Sequence, residues 1–192
     1  MTALILFAGT FDPFHRGHRA ILESALIGYP QASALVAPAR RPHWRAAPTL
    51  PYQRRLEIAR ASLIGLPAQV IEEPDAVDET ALALVIAVER SHQGAELFYL
   101  IGADAAATLP EWVGLEQLLA RASILVAPRE GVAIDLDAVI SRAPQLAGRV
   151  RLLPASGVAA SASAVRSGAT GLLVAGVAPL LADELGVAVD QD

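Results

Sequence analysis

The sequence predicts an α/β domain in which a doubly wound parallel sheet carries helices on both of its faces. Apolar runs of strand length recur along the chain, and segments with helical apolar spacing lie between them. The apolar runs are continuous rather than alternating, as in strands that are buried on both faces of a sheet. Strand–helix–strand units of this kind form right-handed crossovers and parallel strands. The 192 residues fit a single domain, residues 1–192.

Six apolar runs are the predicted strands. In chain order they are ALILFAG (3–9), ASALVAP (32–38), AQVIEEP (68–74), ELFYLIGAD (96–104), SILVAPRE (123–130) and VRLLPA (150–155). Ligands of such Rossmann-like sheets bind beyond the carboxyl ends of the strands. The segments that follow the first, second, fourth and fifth runs should therefore converge on one cleft.

Three segments between the strands are the predicted helices. The first, HRGHRAILESALIG (15–28), repeats its apolar residues along one stripe. The second, PYQRRLEIARASLIG (51–65), begins at a proline and has the same spacing. The third, DETALALVIAVERSHQ (78–93), opens with Asp78 as its expected N-cap.

Charge and composition limit the classes of function. The net charge of −5 argues against a general nucleic-acid binder. All 15 basic residues are arginine, and six of them fall between Arg40 and Arg60, which suits a small anionic ligand or a solvated helix face. Arg54 and Arg55 are adjacent on a predicted helix, so one of them is expected to face solvent.

No segment of the sequence predicts a membrane partner or a disulfide framework. No apolar run reaches the roughly 18 residues of a membrane span, and MTALILFAG (1–9) is predicted to be a strand rather than a signal peptide. The chain has no cysteine, so thiolate metal sites are excluded. These features are compatible with a cytoplasmic protein, and the formation of a homo-oligomer stays open.

The segment GTFDPFHRGH (9–18) holds the strongest candidate site. Its first glycine permits a tight turn at the end of a strand, and the first turn of the next helix offers N–H groups to an anion. His15 and His18 lie three apart and can share one side of that turn. Two imidazole donors beside a helix N-terminus suit a polyphosphate. A local capping role is one alternative, and a zinc site completed by Asp12 or Asp104 is another.

Two signatures resemble those of a known enzyme superfamily. GTFDPFHRGH resembles the H-x-G-H signature of the nucleotidyltransferases, which transfer a nucleotidyl group from a nucleoside triphosphate. Late in the chain, SASAVR (161–166) is similar to their second signature, with Ser161, Ser163 and Arg166 at matching positions. Because the two signatures occur in the expected order, the resemblance is more specific than either signature alone.

The middle of the chain resembles the bacterial nicotinate-nucleotide adenylyltransferases within that superfamily. YLIGADAAATLPEWVGLEQLL (99–119) is similar to their G-x-D segment with its later P-x-W, RRPHWR (40–45) to their P-P-H loop, and DETALAL (78–84) to their S-Y-T run. The chain departs from the family pattern at Ala8, where a glycine is usual, and at Glu79, where a tyrosine is usual.

The resemblance implies a reaction and its cofactor. ATP and nicotinate mononucleotide would give deamido-NAD and pyrophosphate with the help of Mg²⁺, by in-line attack of the mononucleotide phosphate on the α-phosphorus of ATP. Such chemistry needs positioning and charge neutralisation rather than a protein nucleophile. No nucleophilic residue set stands out in the sequence, in agreement with that demand.

The resemblance also implies which residues form the site. The residues expected to act in catalysis are His15, His18 and Arg166. The residues expected to bind ATP are Gly9, Thr10, Phe11, Gly17, His18, Gly102, Asp104, Ser161, Ser163 and Arg166. The residues expected to bind the mononucleotide are His43, Arg45, Thr80 and Trp112. Trp112 would stack on the pyridine ring, although a packing role is its alternative.

Two other readings of the function remain open on the sequence alone. A related nucleotidyltransferase could act on nicotinamide mononucleotide or pantetheine phosphate, or could transfer a cytidylyl group. The carboxylate of Glu79 in particular leaves open whether the acid or the amide mononucleotide is preferred. A nucleotide-binding regulator that has lost catalysis is the second alternative. Ala8 and Glu79 keep it open, and the intact His15, His18 and Arg166 count against it.

Overall fold

The computed structural model describes residues 2–42, 47–72, 80–128, 133–154 and 160–181, and these residues contain a six-stranded parallel sheet. Its strands are β1 Ala3–Gly9, β2 Ala32–Pro38, β3 Ala68–Val70, β4 Glu96–Gly102, β5 Ala122–Ala127 and β6 Val150–Leu152. The spatial order is β3-β2-β1-β4-β5-β6, and every neighbouring pair is parallel. The doubly wound α/β fold predicted from the sequence is confirmed.

The strand register aligns the carboxyl ends of the central strands. β1 pairs with β2 from Ala3 opposite Ala32 to Gly9 opposite Pro38, and with β4 from Ala3 opposite Glu96. β4 ends two residues earlier than its apolar run because a helix begins directly after Gly102. The edge strands β3 and β6 are also shorter than predicted, with three residues each, since each has a single neighbour in the sheet.

Helices fill the connections between the strands. The α-helices of the described residues are α1 Arg16–Gly28, α2 Tyr52–Ser62, α3 Ala81–Ser91, α4 Ala103–Ala106, α5 Leu115–Leu119, α6 Leu136–Arg142 and α7 Ala162–Arg166. Short 3-10 turns lie at Leu109–Glu111, Pro144–Leu146, Thr170–Leu172 and Ala178–Leu181. The three predicted helices correspond to α1, α2 and α3, whereas α4 to α7 are too short to show an apolar period.

The start of α3 corrects one sequence prediction. The N-cap is Thr80, whose Oγ1 accepts a hydrogen bond from the N–H of Ala83 at 3.2 Å. The expected cap, Asp78, lies outside the described residues and before the observed cap. Asp and Thr are both good N-caps, so the sequence offered two suitable positions and the backbone uses the later one.

Both faces of the sheet are covered by helices. Along β1, Leu4 and Leu6 join one apolar cluster, whereas Ile5 and Phe7 join the other, and all four are buried. α1 and α2 supply residues to the cluster on the Ile5 side, and α3, α5 and α6 supply residues to the cluster on the Leu4 side. Burial on both faces explains why the strand is a continuous apolar run.

The winding direction of the chain changes between β1 and β4. α1, which follows β1, packs on one face of the sheet, whereas α4 and α5, which follow β4, pack on the other. A crevice forms at such a point because the two connections leave the sheet edge in opposite directions.

None of the helices among these residues has the length and apolar character that a membrane span requires.

Candidate active site

A cleft of about 760 Å³ opens at the carboxyl ends of β1 and β4. Its walls are the loop after β1, the first turns of α1, α4 and α7, and the segment 47–49. The predicted site residues that line it are Gly9, Thr10, Phe11, His15, Gly17, His18, Gly102, Asp104, Trp112, Ser161, Ser163 and Arg166. The fold therefore brings the two signature segments and the middle segment to one place.

The two signature histidines cap the N-terminus of α1. His15 is the N-cap, and its Nδ1 accepts a hydrogen bond from the N–H of Gly17 at 3.2 Å. His18 is the third residue of the helix, and its Nδ1 accepts from the N–H of His15 at 3.3 Å. This reciprocal arrangement is a capping box built from two imidazoles.

The capping box determines the tautomer of both histidines. Because each Nδ1 accepts a hydrogen bond, the proton of each neutral ring is carried by Nε2. The rings of His15 and His18 stack with centroids 3.7 Å apart and an interplanar angle of 24°. Since both residues line the cleft, capping and ligand contact are compatible roles of the same side chains.

The loop after β1 is held in a strained conformation beneath the histidines. Phe11 has a φ of 46°, in the left-handed region that non-glycine residues rarely adopt. Its buried ring packs edge-on against Phe7 at 5.1 Å and against His18 at 4.9 Å. A Cβ on Gly9 would lie 3.1 Å from the Phe11 ring, so glycine at position 9 lets the ring pack closely against the main chain.

The N-termini of α1 and α7 converge at one end of the cleft. A Cβ added to Gly17 would lie 3.1 Å from the Cβ of Ala160, just before α7. Ser161 is the N-cap of α7, and its Oγ accepts from the N–H of Ala164 at 3.2 Å. Ser163 is exposed in the first turn. The two predicted phosphate-binding segments are thus direct neighbours.

Arg166 reaches from α7 to the loop after β1. Its Nη1 donates a hydrogen bond to the main-chain carbonyl of Asp12 and lies 3.4 Å from Oδ2 of the same residue. The Asp12 carboxylate also accepts from the N–H groups of Thr49 at 2.8 Å and Leu50 at 2.9 Å.

Among the described residues, no group of three histidine, cysteine, aspartate or glutamate side chains could hold a metal ion.

Gly102, at the end of β4, lies beside the Asp104 carboxylate. A Cβ on Gly102 would lie 2.6 Å from Oδ1 of Asp104, closer than side chains tolerate. Gly102 therefore allows the Asp104 carboxylate to fold back beside the end of the strand. Asp104 is exposed in the first turn of α4 and lines the cleft, whereas Gly102 occupies the N-cap position.

The indole of Trp112 lines the cleft. Its Nε1–H donates to Oγ1 of Thr108 at 3.1 Å, and Oγ1 of Thr108 donates to the carbonyl of Ala105 at 2.8 Å. Tyr99 meets the indole edge-on, with centroids 5.9 Å apart and an angle of 88°. Two independent contacts thus fix the orientation of an aromatic face in the cleft.

Of the other predicted mononucleotide residues, Thr80 is described, and it does not line the cleft. Thr80 begins α3, and a Cβ added to Gly114 would lie 2.5 Å from Cδ2 of Leu82, so this helix start adjoins the turn after Trp112. His43 and Arg45 lie outside the described residues, and their predicted role stays a prediction.

Comparison with known proteins identifies the family. Residues 6–167 match the family described as cytidylyltransferase-like. A "probable nicotinate-nucleotide adenylyltransferase" of Thermomicrobium roseum is 31% identical over 175 residues, which cover 86% of this chain and 79% of the relative. A protein of the same name from Roseiflexus sp. is 34% identical over 152 residues, 77% of this chain and 76% of the relative. The chain belongs to the nicotinate-nucleotide adenylyltransferase family.

A solved structure shares the fold of this adenylyltransferase. Plasmodium falciparum nicotinic acid mononucleotide adenylyltransferase, complexed with NaAD, matches with a TM-score of 0.77 over 95% of this chain and 96% of the other. The sequence identity is 12%, so this likeness concerns the fold alone. The family resemblance inferred from the sequence is confirmed by the curated relatives.

Adenylyltransferases of this family work on ATP with a divalent metal ion, and the cleft offers two carboxylates for it. Asp12 is buried, and its carboxylate oxygens already accept hydrogen bonds from two N–H groups and pair with Arg166, so it suits a metal poorly. Asp104 is exposed in the cleft and fits a hydrated Mg²⁺, which usually keeps most of its waters and takes one or two carboxylates.

Arg55 is a structural residue of the site whose role the sequence did not show. Its side chain is 1% exposed. Nη1 donates to the carbonyls of Thr10 at 2.6 Å and Ala39 at 2.7 Å, Nε donates to that of Leu50, and Nη2 donates to that of Arg40, the last two at 3.3 Å. These carbonyls belong to three separate stretches of chain, so no local pattern could reveal them.

Proposed function

We propose that this protein transfers AMP from ATP to nicotinate mononucleotide and so produces deamido-NAD and pyrophosphate. The observation that carries the proposal is the composition of one cleft. The cleft is lined by a pair of imidazoles, an arginine and an indole whose orientation is held by a hydrogen bond. Membership of the adenylyltransferase family supports the same reaction.

In the proposed reaction, the triphosphate lies along the first turns of α1 and α7. An oxygen of the mononucleotide phosphate attacks the α-phosphorus of ATP while the bond from that phosphorus to the bridging oxygen breaks. Pyrophosphate leaves with the electron pair of this bond. His15 and His18 donate through Nε2 to the charge that develops on the bridging oxygen, a role for preorganised donors. Arg166 binds the β- and γ-phosphates through its planar guanidinium.

Mg²⁺ would neutralise phosphate charge when it is bound together with ATP, with Asp104 as its contact through water. The backbone of Gly9, Thr10 and Phe11 approaches the phosphates closely because the loop carries no side chain at Gly9. Ser161 and Ser163 offer hydroxyl donors beside Arg166. The protein thus contributes positioning and charge stabilisation, and it forms no covalent bond to the substrate.

The mononucleotide would occupy the end of the cleft near Trp112. Its pyridine ring stacks on the indole, and its carboxylate lies toward the start of α3, where main-chain N–H groups and the helix dipole at Thr80 favour an anion. His43 and Arg45 are the candidates for its phosphate. The helix dipole favours the acid over the amide mononucleotide.

The proposal is tested by measuring pyrophosphate release with Mg²⁺ and each pair of substrates. ATP or CTP is combined with nicotinate mononucleotide, nicotinamide mononucleotide or pantetheine phosphate, and EDTA serves as the control for the metal. We expect release with ATP and nicotinate mononucleotide together and none with EDTA. Faster release with CTP or with pantetheine phosphate would refute the proposal. ATP binding without any release would favour a regulator.

Because ATP is the proposed substrate, we also propose that the enzyme acts in the cytoplasm. This inference agrees with the absence of cysteine in the sequence, which suits a reducing compartment.

A further inference from the structure

One carboxylate, that of Asp12, joins two walls of the cleft. Asp12 is 7% exposed. Its Oδ1 accepts from the N–H of Leu50, and its Oδ2 accepts from the N–H of Thr49 and lies 3.4 Å from Nη1 of Arg166. Thr49 belongs to the wall formed by residues 47–49, and Arg166 belongs to α7. Oδ2 is therefore shared between the two walls.

The same residue holds Arg166 at two points. Nη1 donates to the main-chain carbonyl of Asp12 and also pairs with the carboxylate. Both contacts restrain the guanidinium through Nη1, so the N–H groups of Nε and Nη2 are the ones that would bind a phosphate. A long arginine side chain loses considerable rotamer freedom when it binds a ligand. A guanidinium that is already oriented loses less of this freedom on binding, which strengthens the affinity.

We propose that Asp12 is a positioning residue that orients Arg166 toward the ATP phosphates and, through the same carboxylate, fixes the segment 47–50, whose residues 47–49 form a wall of the cleft. This inference rests on the proposed function, because it takes ATP as the ligand of Arg166. Asp12 itself does not contact the substrate in this proposal. Two N–H groups and a guanidinium surround the Asp12 carboxylate, and they offset the cost of burying its negative charge.

The substitution Asp12→Asn separates this role from simple packing. The amide has nearly the same shape, but one of its two polar atoms becomes an NH₂ group. If NH₂ takes the place of Oδ2, it faces two donors, Thr49 N–H and Arg166 Nη1. If NH₂ takes the place of Oδ1, it faces the N–H of Leu50. Either orientation places donors against each other and removes the charge.

The test is a double-mutant cycle that reads ATP affinity by calorimetry with Mg²⁺ present and no mononucleotide. The variants are Asp12→Asn, Arg166→Ala and the combination of both. Asp137→Asn is the matched control, because Asp137 is exposed on α6 and does not line the cleft. Folding of each variant is checked by thermal unfolding.

We expect Asp12→Asn to weaken ATP binding about tenfold, the scale of one charge-assisted hydrogen bond. In the Arg166→Ala background, the same change should weaken ATP binding no further, because the residue that Asp12 orients is gone. Equal weakening in both backgrounds would overturn the proposal, and so would wild-type affinity in Asp12→Asn. If Asp12→Asn fails to fold, the cycle is run with Asp12→Glu, which keeps the charge and displaces the carboxylate.

Hydrogen exchange tests the second half of the proposal. The amides of Thr49 and Leu50 should exchange faster in Asp12→Asn than in the wild type, whereas Arg166→Ala should leave them protected. Unchanged amide exchange in Asp12→Asn would refute the link between the Asp12 carboxylate and the segment 47–50. Both measurements use ATP or no ligand, so a failure of nicotinate mononucleotide as substrate would refute the proposed function without affecting this outcome.

Discussion

At the N-terminus of α1, a pair of imidazoles both caps the helix and lines the cleft. A capping box normally combines a small hydroxyl residue with Glu or Gln three positions later. Here His15 and His18 take those positions. Their Nδ1 atoms accept the capping hydrogen bonds, so in each neutral ring the proton is on Nε2. Helix formation therefore orients the two imidazoles before any ligand binds, as the proposed catalytic role requires.

This arrangement permits the capping role and the chemical role to be separated. Asn is a favourable N-cap, and Gln is a usual partner at the third helix position. His15→Asn and His18→Gln should therefore keep α1 intact while each removes one imidazole. We expect kcat to fall by roughly 10²–10³ in each variant, the scale of one lost transition-state donor, with a much smaller change in ATP affinity.

His15→Ala is the matched control for the cap. It removes both the imidazole and the capping acceptor, so its unfolding free energy should be about 1 kcal/mol lower than that of His15→Asn. The two variants should have similarly low kcat in the pyrophosphate assay. Wild-type kcat in His15→Asn would mean that His15 acts only as a cap.

Thr108 controls the orientation of Trp112 through a single hydroxyl. It accepts from the indole N–H and donates to the carbonyl of Ala105. Thr108→Val keeps the shape and removes both bonds, so we expect KM for the mononucleotide to rise roughly three- to tenfold, the scale of one neutral hydrogen bond. KM for ATP should change less. Thr108→Ser retains the hydroxyl and should behave as the wild type, and equal effects of Val and Ser would contradict this role.

At the scale of elements, α2 is attached to the site through one buried arginine. The Arg55 guanidinium donates hydrogen bonds to main-chain carbonyls in the loop after β1, directly after β2 and in the segment before α2. The three N–H donors of a lysine ammonium sit on one nitrogen and cannot reach all four carbonyls, so some of these buried acceptors would lose their Arg55 donor. We expect Arg55→Lys to lower the unfolding free energy by at least about 3 kcal/mol, measured by urea denaturation.

The neighbouring arginine supplies the control for this prediction. Arg54 is on the same helix, is half-buried and pairs with Glu57 at 2.8 Å. A lysine keeps such a pair, and exposed pairs of this kind contribute little, so Arg54→Lys should cost less than about 1 kcal/mol. Similar losses in the two variants would show that the buried contacts of Arg55 are not important for stability.

The long elements follow from the local pattern. β1 and β2 have the predicted bounds, and α1 buries Leu22, Ala25 and Leu26 along the predicted stripe. The predicted ends are less accurate where a short helix or an edge position intervenes, as at Gly102. α4 to α7 have four to seven residues, too few for an apolar period to appear above the background.

At the scale of the whole molecule, the site depends on the change of winding direction between β1 and β4. The signature after β1 and the segment after β4 are neighbours because these two strands pair directly. The late signature joins them because Val165 of α7 packs into the same apolar cluster as β1 and α1. Each segment is short, and the sheet edge supplies the rigidity that holds all three together.

The sequence by itself determined the fold class, the family and the signature residues that line the cleft, because apolar periodicity and short motifs are local properties of the chain. Tertiary structure alone decided the roles of Asp12 and Arg55. Their partners are main-chain N–H and carbonyl groups and an arginine on distant segments. Main-chain groups are the same at nearly every residue, so no sequence pattern records which of them a buried side chain will meet.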